Sequence, residues 1–109
     1  MRVLLVCRQA QLSEALMEVL KQLTVEDINI VSSCSEGRRL LGEKGYDLVM
    51  INTPLNDEFG TDFALDITED DTAAVVLLVK NDVAEQVEEQ VEETPIFVIY
   101  PYNKKSLSA

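Results

Sequence analysis

The chain has no histidine and only two cysteines, Cys7 and Cys34, among 109 residues. That scarcity argues against a zinc site, since the usual imidazole and thiolate ligands are missing or far apart in sequence. Two cysteines also make no disulfide framework, and free thiols are the expectation in a reducing compartment. Positive charge is equally scarce: 9 Lys and Arg stand against 20 Asp and Glu, for a net charge of −11. A free-standing nucleic-acid binder needs the opposite balance to neutralise phosphates. An anionic membrane surface would repel this chain for the same reason. No apolar run approaches the roughly 20 residues of a membrane span. Met1 and Arg2 lead straight into Val3-Leu4-Leu5-Val6, a run too short for the core of a signal peptide and followed by no small-residue cleavage site. The expected location is therefore the cytoplasm. Only four glycines are present, and none forms a G-x-G-x-x-G turn after the first apolar block, which argues against dinucleotide binding.

What the chain does have is a regular succession of apolar blocks. The apolar fraction is 47% and the charged fraction 27%, as in a single globular domain with one core, here taken as residues 1–109. Val3 to Val6, Leu48 to Ile51, Ala74 to Val79 and Ile96 to Tyr100 are short runs rich in Val, Ile and Leu. Such runs suit strands buried on both faces of a parallel sheet. Ile28-Asn29-Ile30-Val31 carries a polar residue inside and suits an edge strand.

Helical spacing fills the gaps. Leu12, Ala15, Leu16, Val19, Leu20 and Leu23 form one stripe. Ser33 and Glu36 have capping-box spacing at the start of a second helix, and Gly45 is expected to stop it in a left-handed conformation beside Tyr46. A third helix follows Gly60, with Phe63, Ala64 and Ile67 on one side. The fourth carries Val83, Val87 and Val91 in a row, amid Glu85, Glu88, Glu89, Glu92 and Glu93.

Strict alternation of strand and helix predicts an α/β three-layer sandwich of flavodoxin-like type, with five parallel strands in the order 2-1-3-4-5. Any site then belongs at the carboxyl ends of the strands: Cys7 and Arg8, Asn52 to Gly60, Val79 to Asp82, and Tyr100 to Asn103. Only Lys104 to Ala109 remain after that. A covered parallel sheet calls for a further helix there, so the final helix is expected to be truncated.

The strings Ile51-Asn52-Thr53-Pro54-Leu55, Asp57-Glu58-Phe59-Gly60 and Leu77-Leu78-Val79-Lys80, with Gly60 eight residues after Asn52, resemble response regulator receiver (CheY-like) domains. Within that family they resemble receivers of the ANTAR class of transcription antitermination regulators. The resemblance covers nearly the whole chain. It implies a domain of bacterial two-component signal transduction at the N-terminal part of a longer regulator, with RNA contacted only through a separate C-terminal module. It also implies a phosphoacceptor Asp at the end of the third strand and an acid pair that helps hold Mg²⁺ at the end of the first. A hydroxyl after the fourth strand and a lysine after the fifth would bind phosphoryl oxygens.

Each of those positions has changed. The phosphoacceptor position holds Asn52, the acid pair is Cys7 and Arg8, the hydroxyl position is Val79 and the lysine position is Tyr100. Asn52 cannot form an acyl phosphate as a carboxylate does, Cys7 is a poor ligand for a hard cation, and Arg8 adds positive charge where a metal would sit. The expectation is a degenerate receiver, not an enzyme. It would have no metal and no cofactor, and would act through protein partners or as a homodimer. Asp57 and Glu58 read as a solvated turn or as ion-pair partners of Arg8 or Lys80, and otherwise offer a displaced acceptor or metal ligand. Val83, Val87, Val91 and Phe97 are the candidate interaction face, Phe97 resembling the family's switch aromatic. The alternative function is a phosphocysteine-type transfer domain using Cys7. That chemistry wants backbone N–H groups wrapped around phosphate, and Arg8-Gln9-Ala10-Gln11-Leu12 contains no glycine to build the wrap.

Overall fold

The computed structural model describes residues 1–53, 55, 60–70, 72–80 and 83–99. Nine elements follow one another: β1 (Arg2–Val6), α1 (Ala10–Gln22), β2 (Asp27–Val31), α2 (Cys34–Glu43), β3 (Leu48–Asn52), α3 (Gly60–Asp70), β4 (Ala74–Leu78), α4 (Ala84–Gln90) and β5 (Phe97–Ile99). The strands pair in parallel in the order β2-β1-β3-β4-β5. This is the expected flavodoxin-like sheet, with β2 at one edge and β5 at the other. The expectation of a truncated final helix concerns residues outside those described.

Alternation of side chains along each strand builds two cores. Leu4, Val6, Val49, Ile51, Val75 and Leu77 face one side, where Cys34 of α2, Phe63, Ala64 and Ile67 of α3, and Ala84 and Val87 of α4 pack on them. Val3, Leu5, Met50 and Leu78 face the other side, where α1 contributes Leu12, Leu16 and Leu20. α2 meets α3 closely. A Cβ on Gly37 would stand 3.0 Å from the Phe63 ring, while Arg38 lies 4.8 Å above that ring and pairs with Asp66 at 2.7 Å. The capping reading of α2 holds: the Ser33 hydroxyl accepts the Glu36 N–H at 3.2 Å.

Three local expectations need correction. Leu23 does not join the α1 stripe; it is 66% exposed. α1 ends at Gln22, and the chain reverses in a Schellman turn. The Val25 N–H reaches the Leu20 carbonyl and the Thr24 N–H that of Lys21, both at 3.0 Å. Val25 then takes the core place on the α1 side. The left-handed residue in that turn is Thr24, with φ 64°, a position that usually belongs to glycine. Gly45, by contrast, has no positive φ. α2 stops because Lys44 turns extended, with φ −154° and ψ 159°. Tyr46 then enters the core and its hydroxyl donates to Asn29 Oδ1 of β2 at 2.7 Å. Finally, the valine row of α4 is split: Val87 and Val91 are buried, but Val83 sits at the N-cap, half-exposed and with no side-chain cap bond.

Candidate functional site

The carboxyl ends of β1, β3 and β4 meet at one crest. Asn52, the last residue of β3, is 1% exposed. Its Nδ2 donates to Cys7 Sγ at 3.6 Å, while its Oδ1 is buried and finds no partner among the described residues. A buried, unpaired carbonyl oxygen of this kind costs about 1–3 kcal/mol. Cys7 continues past β1, with its N–H on the Val31 carbonyl at 2.9 Å. Its thiol donates to the Gln9 carbonyl at 3.4 Å. The same carbonyl takes the Ser13 N–H at 3.0 Å and the Ser13 hydroxyl at 3.2 Å. The thiol is thus held as a buried donor against the first turn of α1. A phosphate placed on it would meet a carbonyl oxygen where N–H donors are needed.

Val79 follows β4, is fully buried in the core beneath α3 and α4, and gives its N–H to the Ile99 carbonyl at 3.1 Å. It brings no hydroxyl to the crest. Thr53 follows Asn52 and is turned away from phosphate chemistry too: its N–H and hydroxyl both go to the Leu78 carbonyl, at 3.0 and 3.4 Å. Gly60 explains its own place in the pattern. A Cβ there would collide with the Thr53 methyl and stand 3.1 Å from Ile51 Cγ2, so only glycine lets α3 start hard against the end of β3. Arg8 and Lys80 are exposed beside Cys7 and Val79. Tyr100, Asp57 and Glu58 lie outside the described residues.

The structure therefore brings Cys7, Asn52 and Val79 to one edge of the sheet, as their spacing predicts. Sequence reasoning missed the lock that Gln9 and Ser13 place on Cys7. A serine at the fourth position after Gln9, in the first turn of the helix, is a weak signal of it. The residues present do not fit the Mg²⁺ ion that the resemblance to receiver domains implies. A thiol and an arginine replace hard oxygen donors, and among the described residues no three Cys, Asp or Glu side chains group as metal ligands would. The candidate interaction face is also redrawn. Val87 and Val91 are core residues under α4, so they present nothing to a partner, whereas Phe97 is 66% exposed at the edge strand. Among the described residues no helix is long and apolar enough to cross a membrane.

No family model matches the sequence, and no curated protein sequence matches it. Solved structures do resemble it. A response regulator receiver domain (CheY-like) from Methylobacillus flagellatus aligns with a TM-score of 0.76 at 21% identity, covering 97% of this chain and 91% of that one. A receiver domain protein from Clostridium thermocellum gives 0.77 at 18% identity, over 98% and 87%. The chemotaxis response regulator CheY4 of Vibrio cholerae gives 0.77 at 12%, over 97% and 91%. At these identities the likeness is one of architecture: the chain has the flavodoxin-like fold of CheY-like receiver domains.

Proposed function

We propose that the chain is a pseudo-receiver, a cytoplasmic module of bacterial two-component type that regulates transcription through protein–protein contacts and accepts no phosphoryl group at position 52. The observation that carries this reading is the state of Asn52: buried at the end of β3, its amide directed onto a cysteine sulfur. A carboxamide there has no charge with which to attack a phosphorus centre or to attract a cation. The solved structures that share the fold are described as receiver domains, which supports a signalling role. The strings shared with ANTAR-class receivers support a place in antitermination. RNA would then be contacted by a separate C-terminal module, because an acidic domain of net charge −11 repels a polyanion.

The domain is not an enzyme in this reading. Its Cys7 is a packing residue, since its thiol is occupied by the Gln9 carbonyl and shielded by α1. A titration with Mg²⁺ and beryllofluoride, followed by backbone amide shifts, tests the proposal. The expected result is no saturable shift at Cys7, Asn52, Thr53 or Val79. Saturable shifts confined to those residues would show a working phosphoryl site and defeat the reading.

A further inference from the structure

β2 is an edge strand, and what it leaves open is backbone. The Cys7 N–H donates to the Val31 carbonyl at 2.9 Å. In the unbroken parallel register of β1 and β2, Val31, Asn29 and Asp27 therefore turn their N–H and C=O groups toward β1. Ile28 and Ile30, which alternate with them, turn theirs away from the sheet. Among the described residues no strand or loop backbone pairs with those groups. They point along the plane of the sheet, so a helix packed on either face cannot satisfy them. Proteins blunt such edges with Lys, Pro or a bulge. β2 has none of the three: its sequence is DINIV, and its register against β1 runs residue for residue. Its one charge, Asp27, is drawn back toward β1 by the Arg2 Nε–H at 2.8 Å. Its isoleucines are open as well: Ile30 is 42% exposed, and Ile28 is half-buried against the α1-side core.

The order of residues identifies the occupant. Ile28-Asn29-Ile30 reads the same in both directions, so a twofold axis at Asn29 sets Ile28 opposite the partner's Ile30 in an antiparallel pair. These are the residues whose backbone groups point outward. Each such pair then exchanges both of its N–H···O=C bonds, as a hydrogen-bonded antiparallel pair requires. Both isoleucines lie on the α1 side, in register with Val3 and Leu5, so the two Ile–Ile contacts share one face. Moving the axis by one residue, to Ile28 or to Ile30, would set the other isoleucine against Glu26 or Ser32. With the axis at Asn29, Asp27 meets the partner's Val31 and Glu26 meets the partner's Ser32, so no acid stands directly opposite an acid. We infer that β2 pairs with β2 of a second copy of this chain, antiparallel about Asn29, joining two five-stranded sheets into one. The net charge of −11 on each copy opposes the approach, so the contact is weak at low salt and stronger where salt screens it. β1 lies between this edge and β3, which carries Asn52. The inference therefore stands or falls independently of whether position 52 accepts phosphate.

The test uses the full chain at high salt. Sedimentation equilibrium at up to about 1 mM protein should show a reversible monomer–dimer equilibrium. Ile30→Lys should raise its dissociation constant at least about tenfold, because both cross-strand pairs carry the substitution. Each added lysine reduces the like charge on the chain, so weakening isolates the loss at the strand edge. Phe97→Lys makes the same charge change at the opposite edge and should not weaken the dimer. The register is read by oxidation. A mixture of Ile28→Cys and Ile30→Cys chains should form a disulfide dimer, since the paired Cα atoms stand about 5.5 Å apart in that register. Either variant alone, with its cysteines two residues apart along the strands, should crosslink more slowly. The parent chain should not crosslink, as Cys7 and Cys34 are buried. The variants are expected to keep the wild-type circular dichroism spectrum, and should Ile30→Lys lose it, the crosslinking decides alone. A monomer throughout overturns the inference. So does a dimer that Phe97→Lys dissolves and Ile30→Lys does not, or crosslinking no faster in the mixture than in the separate variants.

Discussion

Thr24 is where a single residue works hardest against its own preference. A β-branched side chain in the left-handed region is strained by about 1–3 kcal/mol, yet the turn between α1 and β2 needs that conformation to bring Val25 into the core. Thr24→Gly should therefore raise stability by about 1 kcal/mol once the flexibility of glycine in the unfolded chain is deducted. In a thermal melt that is an increase of about 4 °C. No change, or a decrease, would show that the Thr24 hydroxyl, bonded to the Leu23 carbonyl at 2.6 Å, matters more than the strain. Arg2 and Asp27 make a different residue-scale case. The Arg2 Nε–H donates to Asp27 at 2.8 Å, and that hydrogen bond holds the Asp27 carboxyl below its ordinary value. A lowered carboxyl stabilises the fold above its unfolded pKa of about 4 and loses that contribution as pH falls through the folded value. Carbon-detected titration should show the Asp27 carboxyl rising toward its ordinary value in Arg2→Ala, as the hydrogen bond that lowers it is removed. An unmoved Asp27 in the variant would contradict the assignment. Tyr46 shifts the other way: burial pushes its hydroxyl up, so the neutral form that donates to Asn29 persists to higher pH than in an unfolded chain.

Among the elements, α4 is the least secured. Seven residues long, it begins at Val83 without a side-chain cap and carries the like-charged Glu85 and Glu89 one turn apart. Its hold on the sheet is Ala84, Val87 and Val91. Val83→Ser should supply the missing cap, adding about 1 kcal/mol of stability and slowing amide exchange at residues 84–87. Unchanged exchange would mean that the α4 start is set by its packing alone. The order of elements was legible because short continuous apolar runs and stripes of helical spacing alternate cleanly along the chain. Parallel pairing then followed from the strict alternation of strand and helix, and Asn29 in an otherwise apolar block marked β2 as an edge. The ends of elements were harder to read. Leu23 keeps the helical period one residue beyond the last turn, and nothing about a threonine announces a left-handed residue. Gly45 has the right spacing for a stop, but the Lys44 backbone had already left the helix. For the site, Cys7, Asn52 and Val79 could be placed at one crest, since all end parallel neighbours. What could not be read was the side-chain geometry: the Asn52 amide on sulfur, and the Gln9 carbonyl claiming the thiol.

The molecule as a whole joins a receiver-like sheet to a crest whose buried side chains, Cys7, Asn52 and Val79, carry no carboxylate. The sheet, the close approach of Gly60 to Thr53 and the packing of α3 keep the end of β3 where a phosphoacceptor would stand. Asn52 and Cys7 arrive there buried and hydrogen-bonded to each other, with Arg8 and Lys80 exposed beside them. Acid content is spread elsewhere, on α1 and on α4, and a net charge of −11 opposes the approach of other anions. The most direct measurement is the intact mass of the chain after incubation with acetyl phosphate and Mg²⁺. The account predicts the unmodified mass; a single added phosphoryl group that disappears in Asn52→Ala would contradict it.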